Sequence, residues 1–349
     1  MTVVTKLSVK NIRSHDSFVI EFSPNITVIT GENGSGKTSL IEAVYIALQG
    51  TSFKGSDNEV LRHKSKWWRI DLLLDDQSKR IVSFDPSLSS GKKKFTVDEK
   101  IHYQLPSKNK YPVVLFEPDD LRLLHGSPSR RRQFIDRFIS QLDVLYGATL
   151  RKYERALKQR NNLLKQAYIR PEDLFVWNIA LSEYGAYIIQ QRIIFIEEIN
   201  SKLNPAYDEI AGQRDVVSIH YSHTFIGDVK QKLLNELDMS NERDKYLGFT
   251  SVGPHRHDVI FEFNNSPALS IASRGEVRSI VLALKFLEVD IIEKITDKKP
   301  IILLDDVFSE LDLARQKALS DTIRSHQIII TSTHVLSDSR NYTHVKLDA

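Results

Sequence analysis

Apolar and polar residues alternate along the start of the chain, which is the pattern of half-buried β-strands. From Lys37 onward the apolar residues recur at helical spacing, and Gly50 stands where it can cap the end of that helix. The change of period predicts strands, a loop and then a helix in direct succession. The strands are predicted around Leu7 and Val9, at 18–22 and at 26–30.

A second change of pattern separates the middle of the chain from its two ends. From Ser127 to about Leu237 the apolar spacing is helical. The sequence therefore predicts an α/β fold in which 1–120 and 246–349 form one domain and 121–245 form an inserted, mainly helical lobe. Outside the lobe, strands are predicted at 68–74, 80–84, 113–116, 259–263, 301–304 and 327–331, and helices at 276–295 and 311–324.

The loop before the first helix matches the phosphate-binding pattern G-x-x-x-x-G-K-[ST]. Glycines let backbone N–H groups curve around phosphate oxygens, and the helix N-terminus adds a partial positive charge. Lys37 is predicted to hold the β- and γ-phosphates, and the Thr38 hydroxyl to reach Mg²⁺. We therefore expect ATP and Mg²⁺ as cofactors. The predicted phosphate-binding residues are Gly31, Glu32, Asn33, Gly34, Ser35, Gly36, Lys37 and Thr38.

An apolar strand that ends in two acidic residues supplies the second half of such a site. Asp305 is predicted to hold Mg²⁺, and Asp306 to orient or deprotonate the attacking water. His334 follows the strand at 327–331, where a sensor of the γ-phosphate would lie. A buried strand with a polar turn, and an exposed or structural histidine, remain the alternatives for these residues.

The composition excludes several kinds of site and segment, but it does not indicate a ligand. The 349 residues carry a formal net charge of +3, so any nucleic-acid footprint must be local. The absence of cysteine excludes disulfides and cysteine-ligated metal sites. The start of the chain lacks the apolar segment of a signal peptide, and no apolar run approaches the roughly 20 residues that span a bilayer. We therefore expect a cytoplasmic protein.

The order of the motifs discriminates among P-loop proteins. Lys37 and Asp305 are separated by most of the chain, whereas GTPases, RecA-type proteins and small kinases place the two motifs much closer. ABC-type ATPases place a signature loop and a helix before the acidic strand, and Ser273-Arg274-Gly275-Glu276 stands in that place. A serine hydroxyl and a glycine backbone at a helix N-terminus suit a γ-phosphate clamp. In ABC-type proteins this loop acts on the nucleotide of a second subunit, so the similarity implies that role for Ser273 and Gly275.

Several segments together resemble the RecF family, small relatives of the SMC and Rad50 ATPases, and the resemblance runs nearly end to end. Val252–Asp258, which contains Gly-Pro-His-Arg, and Leu303–Asp312 are the most specific segments. The signature loop departs from the family's glutamine-rich pattern because Glu276 follows its glycine. No glutamine stands at 116–120, so we assign no Q-loop residue. The other segments are Asn11–Arg13, Leu40–Ala43, Gly50–Lys54, Phe116–Leu121 and Gly126–Arg132.

The resemblance implies an ABC/SMC-type P-loop ATPase head with the inserted lobe, acting in DNA replication and repair. It implies a homodimer around two ATP molecules that binds double-stranded DNA near gaps and hydrolyses ATP slowly. RecO and RecR would be its partners in loading RecA. Asp306 stands where ABC enzymes more often carry glutamate, and this shorter side chain is a physical reason to expect slow turnover. The resemblance also implies that Ser39 and Arg13 contact the nucleotide. The catalytic residues would be Lys37, Ser273, Asp306 and His334.

Three local clusters of basic residues are candidates for contact with DNA phosphates. Each alone is also explained by a solvated surface, so the prediction is that at least one contacts the DNA backbone. Such binding is expected to be independent of sequence and sensitive to salt. The clusters are Arg130, Arg131 and Arg132; the helix with Arg151, Lys152, Arg155, Lys158 and Arg160; and the loop Lys92-Lys93-Lys94.

Two other interpretations keep the ATP site. RecF-like ATPase domains occur in OLD-type nucleases and anti-phage systems, but these append a nuclease domain, and Ala349 follows soon after His334. In the second interpretation, ATP acts only as a structural switch and hydrolysis is negligible. A transporter ATPase is disfavoured by the family-specific segments and by the helical insertion.

Overall fold

The computed structural model describes residues 3–166, 168–223, 227–308, 311–334 and 342–347. The chain divides into two compact units, Met1–Asp120 with Glu288–Ala349, and Leu121–Leu287. The sequence prediction placed the first boundary at the same position, but it returned the chain to the first domain at 246. Strand pairing explains the difference, because Val259–Phe263 pairs with Val217–Tyr221 inside the second unit.

The strands and helices below are numbered along the chain. The strands are β1 (Val4–Ile12), β2 (His15–Glu21), β3 (Ile26–Thr30), β4 (Trp68–Leu74), β5 (Lys79–Phe84), β6 (Lys93–Val97), β7 (Lys100–His102), β8 (Val113–Phe116), β9 (Val217–Tyr221), β10 (Val259–Phe263), β11 (Ser266–Pro267), β12 (Ile301–Asp305), β13 (Ile328–Ser332) and β14 (Thr343–Lys346). The helices are α1 (Lys37–Gln49), α2 (Asp57–Val60), α3 (Pro128–Leu142), α4 (Val144–Leu163), α5 (Pro171–Ala211), α6 (Val229–Met239), α7 (Asn241–Leu247), α8 (Ala268–Ile271), α9 (Arg274–Thr296) and α10 (Leu313–Thr322), with 3₁₀ turns at Ser107–Asn109 and Pro118–Arg122. Within the described ranges, no helix combines the length and the apolar character needed to cross a bilayer.

The first unit contains two sheets that share one hydrophobic core with helix α1. Six strands form an antiparallel sheet in the order β2-β1-β4-β5-β6-β7, and five form a parallel sheet in the order β14-β3-β13-β12-β8. The burial of β4 alternates residue by residue, as expected when one face packs on a core. Every residue of β12 and β13 is buried, because strands of a parallel sheet are covered on both faces.

The parallel sheet positions the predicted nucleotide site. Strands β3, β13 and β12 are neighbours and run in the same direction, so their carboxyl ends meet at one edge of the sheet. The glycine-rich loop follows β3, His334 follows β13, and Asp306 follows β12. The fold therefore places residues from distant parts of the chain along the same edge.

The second unit combines helices with a small antiparallel sheet of order β11-β10-β9. The sequence prediction of helical structure throughout Ser127 to about Leu237 is wrong at β9. Val217 and Ile219 are its buried residues, and they alternate with more exposed neighbours at the period of a strand. The prediction missed this strand because its pairing partner, β10, lies far along the chain.

The basic segment at 92–94 is also not the loop that the sequence predicted. Lys93 and Lys94 begin β6 and pair with β5. The Lys93 ammonium donates to Asp57 Oδ1 at 2.5 Å and lies over the ring of Trp68, which is fully buried. Burial lowers the pKa of Lys93. Lys93 is therefore held by the fold, and the structure favours a structural role for it over the predicted DNA contact.

Candidate nucleotide-binding site

The loop between β3 and α1 has the backbone shape of a phosphate cradle. Gly34 and Gly36 have φ angles of 90° and 93°, in the left-handed region that favours glycine. A Cβ atom at Gly36 would collide with His15, and one at Gly31 would lie 2.6 Å from Ser35 Oγ. Gly34 and Gly36 are therefore required by the local backbone before any ligand is considered.

Two side chains of this loop suit a phosphate ligand. The Lys37 ammonium donates to the carbonyl oxygens of Gly31 and Glu32 at 2.9 and 3.1 Å, so it is held over the loop. Ser35 Oγ is buried and has no hydrogen-bond partner among the described residues. A buried hydroxyl without a partner costs free energy, and a phosphate oxygen would satisfy it. The loop therefore fits the triphosphate of ATP.

The two halves of the predicted site meet at Asp305. Its Oδ1 accepts hydrogen bonds from Thr38 Oγ1 at 2.8 Å and from Thr331 Oγ1 at 2.9 Å. A hydroxyl and a carboxylate are hard oxygen ligands, and Mg²⁺ is commonly held by one or two such groups together with substrate phosphates. Within the described ranges, no group of three or more His, Cys, Asp or Glu residues could hold a metal by itself. The donor set fits a metal that arrives with a nucleotide.

Asp306 occupies a strained position immediately after β12. Its φ is 51°, and its backbone N–H donates to the carbonyl oxygen and the hydroxyl of Thr331 at 3.2 and 3.0 Å. Burial raises the pKa of its carboxyl, the nearby Lys37 ammonium opposes that change, and the charge of Asp305 adds to it. A non-glycine residue at positive φ persists only when its surroundings hold it there. The arrangement suits a carboxylate that exchanges a proton.

Arg13, which the sequence assigned to nucleotide binding, is paired inside the protein. Its guanidinium donates to both carboxylate oxygens of Glu42 at 2.8 and 2.9 Å. This hydrogen-bonded pairing raises the pKa of Arg13. Glu42 projects from α1 and is 1% exposed, so it needs a cationic partner. The structure therefore favours a supporting role for Arg13 over direct contact with ATP.

Lys54, for which the sequence predicted no role, lies at the candidate site. Its Nζ is 3.8 Å from Asp305 Oδ2. The only signal in the sequence was its place in the segment Gly50–Lys54, one of those that resemble the RecF family. Spacing alone could not reveal the contact, because Lys54 and Asp305 lie at opposite ends of the chain.

The predicted signature residues lie at the start of α9, in the second unit. Ser273 Oγ accepts a hydrogen bond from the N–H of Glu276 at 3.3 Å, and the Glu276 carboxylate accepts one from the N–H of Ser273 at 2.6 Å. This reciprocal pair is a capping box. It gives Glu276 a local role that the sequence pattern did not predict. Gly275 lies in the first turn of the helix.

The remaining predicted residues of the site occupy varied surroundings. Ser39 is buried in the first turn of α1, whereas Glu32 and Asn33 are exposed in the loop. His334 is exposed beyond β13, and its N–H donates to Ser332 Oγ at 3.1 Å. Ser309 and Glu310, part of the segment that resembles the family, lie outside the described residues.

The three consecutive arginines of α3 do not form one exposed cluster. Arg131 is buried, and its guanidinium makes a two-point ion pair with Asp258 at 2.7 and 2.8 Å. Arg132 donates to the carbonyl oxygen of His257 at 2.6 Å, and burial lowers its pKa. Arg130 is partly exposed. The structure favours a structural role for Arg131 and Arg132 over the predicted DNA contact.

The basic residues of α4 are arranged differently. Arg151, Lys152 and Arg155 are all exposed, and the Lys152 ammonium lies 5.8 Å from the centre of the Tyr184 ring. Lys158 is exposed as well, but Arg160, farther along the same helix, is fully buried. The structure therefore favours a structural role for Arg160 over the predicted DNA contact. The exposed part of α4 therefore keeps its predicted role as a candidate surface for DNA phosphates.

Comparison with known proteins agrees with this geometry. A family profile described as an AAA domain matches residues 6–312. The DNA replication and repair protein RecF of Lachnoclostridium phytofermentans is 34% identical over 95% of this chain and 92% of its own length. The RecF protein of Streptococcus suis is 37% identical over 98% of this chain and 97% of its own length.

Solved structures show the same relationship. A structure of the recombination mediator protein RecF with ATP, in the RecFOR pathway, is 29% identical to this chain, covers 99% of it and 95% of its own chain, and has a TM-score of 0.88. An SMC head bound to the C-winged helix domain of ScpA has a TM-score of 0.51 at 16% identity, over 95% of this chain and 90% of its own, which supports the fold alone. Since curated relatives match over nearly the full length of both chains, this chain belongs to the RecF family of P-loop ATPases with an ABC/SMC-type head.

Proposed function

We propose that this chain is an ATP-dependent DNA repair mediator that dimerises around two Mg²⁺–ATP complexes and binds double-stranded DNA near gaps. RecO-like and RecR-like proteins act with it to help load RecA, and the place of action is the cytoplasm. Family membership supports the mediator role. The observation that carries the nucleotide part is the Thr38–Asp305 hydrogen bond at 2.8 Å, because it joins the phosphate loop to the acidic strand.

Lys37, Thr38, Asp305 and Asp306 each have a chemical role in this proposal. Lys37 neutralises the phosphates, and Thr38 and Asp305 hold Mg²⁺, which supplies further charge neutralisation at the transferred phosphoryl group. Asp306 accepts a proton from the attacking water, and its raised pKa suits that transfer. Because aspartate is one methylene shorter than glutamate, the base reaches the water less well, which supports slow hydrolysis.

The second subunit completes the site in this proposal. Ser273 and Gly275 of the partner copy face the γ-phosphate, and His334 senses it from its own subunit. The N-terminus of α9 supplies backbone N–H groups and a partial positive charge for this contact. Exposed basic residues on α4 support contact with the DNA backbone.

Size-exclusion chromatography with light scattering tests the dimer. Without nucleotide we expect the 40.1 kDa protomer, and with ATP, Mg²⁺ and a gapped duplex a complex with twice that protein mass. Lys37→Ala should stay monomeric, because it lacks the cation that neutralises the phosphates. Lys66→Ala, which alters an exposed lysine of the same unit, is the matched control and should dimerise. A wild-type mass that does not change at saturating ATP would reject the dimer.

A second candidate function uses ATP only as a switch, with negligible hydrolysis. The observation that favours it is the 3.9 Å separation of Asp306 Oδ2 from Lys37 Nζ, because a carboxylate held by the lysine is a poorer base. Single-turnover hydrolysis by wild type and by Asp306→Asn separates the two functions. A rate that falls only in the variant supports the ATPase. Equal, near-zero rates with intact ATP-dependent dimerisation support the switch.

A further inference from the structure

Two lysines and two aspartates alternate at the edge of the parallel sheet. Lys37 Nζ lies 3.9 Å from Asp306 Oδ2, and Lys54 Nζ lies 3.8 Å from Asp305 Oδ2. Lys37 belongs to the phosphate loop, but the proposed function gives Lys54 no task. Asp305 turns its other oxygen toward Thr38, so the Lys54 ammonium stands beside the carboxylate that would hold Mg²⁺.

The backbone at Lys54 is fixed by a serine. Ser52 Oγ accepts hydrogen bonds from the N–H groups of Lys54 and Gly55 at 2.9 and 3.0 Å. The same hydroxyl donates to Glu42 Oε1 at 2.5 Å. The turn that carries Lys54 is therefore tied to a buried carboxylate of α1.

That carboxylate is held in turn by Arg13. A buried carboxylate is costly unless it is paired and hydrogen-bonded, and both oxygens of Glu42 accept from the Arg13 guanidinium. The side chain of Arg13 is 29% exposed and that of Glu42 is 1% exposed, so water screens this pair only in part. Arg13, Glu42 and Ser52 form a continuous support that ends at Lys54.

We infer that Lys54 is a second phosphate-binding lysine, which neutralises Asp305 in the nucleotide-free protein and turns to the phosphates when Mg²⁺ replaces it. This inference rests on the proposed role of Asp305 as a Mg²⁺ ligand. An ammonium and Mg²⁺ repel each other strongly when both lie beside one carboxylate. The Lys54 side chain is 42% exposed and flexible, so it is able to leave Asp305, and the nearest new anion is the bound triphosphate.

Binding of a fluorescent ATP analogue in the presence of Mg²⁺ tests the phosphate contact. Lys54→Ala should raise the Kd about tenfold, because one charge-assisted hydrogen bond to phosphate is removed. Lys54→Arg keeps the charge and should recover most of the affinity. Lys66→Ala is the matched control and should bind as wild type does. Thermal unfolding should be unchanged in all three variants, since both lysines are exposed.

Weak Mn²⁺ binding at millimolar concentration without nucleotide, followed by electron paramagnetic resonance, tests the counter-ion role, because Thr38 and Asp305 are the proposed ligands that remain when the phosphates are absent. Lys54→Ala should bind Mn²⁺ about fivefold more tightly than wild type, because the competing ammonium is gone. Asp305→Asn should lose this binding. A lysine with a merely structural role would not weaken ATP binding and strengthen Mn²⁺ binding at the same time.

Substitutions of Ser52 test whether its hydroxyl positions Lys54. Ser52→Ala removes the acceptor for the Lys54 and Gly55 N–H groups and should raise the Kd for the ATP analogue about threefold. Ser52→Thr keeps the hydroxyl and should restore wild-type affinity. Equal affinities for Ser52→Ala and Ser52→Thr would show that the turn does not position Lys54.

The outcomes separate this inference from the proposed function. If Lys54→Ala binds both the ATP analogue and Mn²⁺ as wild type does while Lys37→Ala loses ATP, the inference falls and the proposed nucleotide site stands. Weaker ATP binding without tighter Mn²⁺ binding would overturn the counter-ion role. If Lys37→Ala also binds ATP as wild type does, the proposed nucleotide site itself is wrong.

Discussion

The two units of this protein use charged residues in opposite ways. At the sheet edge of the first unit, the lysine–aspartate distances at Asp305 and Asp306 are 3.8 and 3.9 Å, and one member of each pair is partly exposed. In the second unit, Arg160 and Asp244 are both fully buried and lie 2.6 Å apart. The first arrangement leaves room for another ion to enter, whereas the second is closed.

The closed arrangement extends beyond one ion pair. The Arg160 guanidinium also donates to the side chains of Asn178, Thr250 and Asn241, at 2.7 to 2.9 Å. A buried arginine is stable only when its donors are satisfied in this way. A cluster of charged residues in the sequence therefore does not show whether those residues are able to bind a ligand. Binding capacity depends on whether the fold has already used the charge.

The largest effect is expected from breaking the closed arrangement. Arg160→Ala leaves Asp244 as a buried charge without its cation, so we expect a loss of about 3–5 kcal/mol in the free energy of unfolding. Arg155→Ala, on the exposed part of the same helix, is the matched control and should change it by less than about 0.5 kcal/mol. Urea denaturation of both variants measures the difference. Similar losses in the two variants would show that burial does not separate these arginines.

Lowering the pH should reduce the free energy of unfolding of the second unit, because two of its histidines are largely shielded from water. Burial lowers the pKa of His255 and of His257 to about 4. Unfolded histidine takes up a proton below about pH 6.5, so between the two values the unfolded state binds more protons and acidification lowers the free energy of unfolding. For each histidine the expected loss between pH 7 and 5 is about 2 kcal/mol.

Denaturation at a series of pH values tests this prediction. His255 accepts from the Tyr153 hydroxyl at 2.7 Å and donates to the carbonyl oxygen of Thr250 at 3.1 Å, so its neutral form is the one that fits. His255→Gln cannot take up the proton, and its stability should fall less steeply with acid than that of wild type. Parallel profiles for the two proteins would contradict the assignment.

Neutralising the exposed charges of α4 should weaken DNA binding without loss of stability. Changing Arg151, Lys152 and Arg155 together to glutamine should lower affinity for gapped duplex about tenfold at moderate salt. The dependence of log affinity on log salt should become shallower by about one unit for each DNA phosphate that the variant no longer neutralises. Fluorescence anisotropy at several salt concentrations measures both quantities.

The control carries the same change of charge elsewhere. Lys66, Lys100 and Lys108 are exposed lysines of the first unit, and their glutamine variants should bind DNA as wild type does. Equal loss in both triple variants would mean that net charge, not the surface of α4, determines binding.

The smallest effect is expected at the start of α9. Glu276→Ala removes the acceptor for the Ser273 N–H and should cost about 1 kcal/mol of stability. Glu276→Gln retains an acceptor oxygen and should cost less. Thermal unfolding of the two variants measures the difference. Equal costs would show that the capping box does not stabilise the helix.

Most elements and both halves of the candidate phosphate site could be predicted from local patterns. Strands such as β3 and helix α1 have clear periodicities, and the glycine loop between them follows a pattern that its own backbone angles require. The pattern alone therefore predicts the phosphate loop and the acidic strand. Strand β9 was missed because a short strand is defined by its partner, and β10 lies far along the chain.

Contacts between distant residues could not be predicted in this way. The exposed surface of α4 and the buried Arg160 carry the same kind of residue on one helix, and only packing separates them. Arg13 and Lys54 both had family resemblance as a signal, but their partners were not visible in the sequence.

The sequence by itself determined the family, and it predicted the glycine-rich loop and the acidic strand in their order along the chain, because these depend on local backbone chemistry. The tertiary structure alone decided which charges are already paired. It placed Arg13 on Glu42 and brought Lys54 beside Asp305. The physical reason is that the effect of a charge depends on its burial and its nearest counter-ion, and both are set by residues far away in the chain.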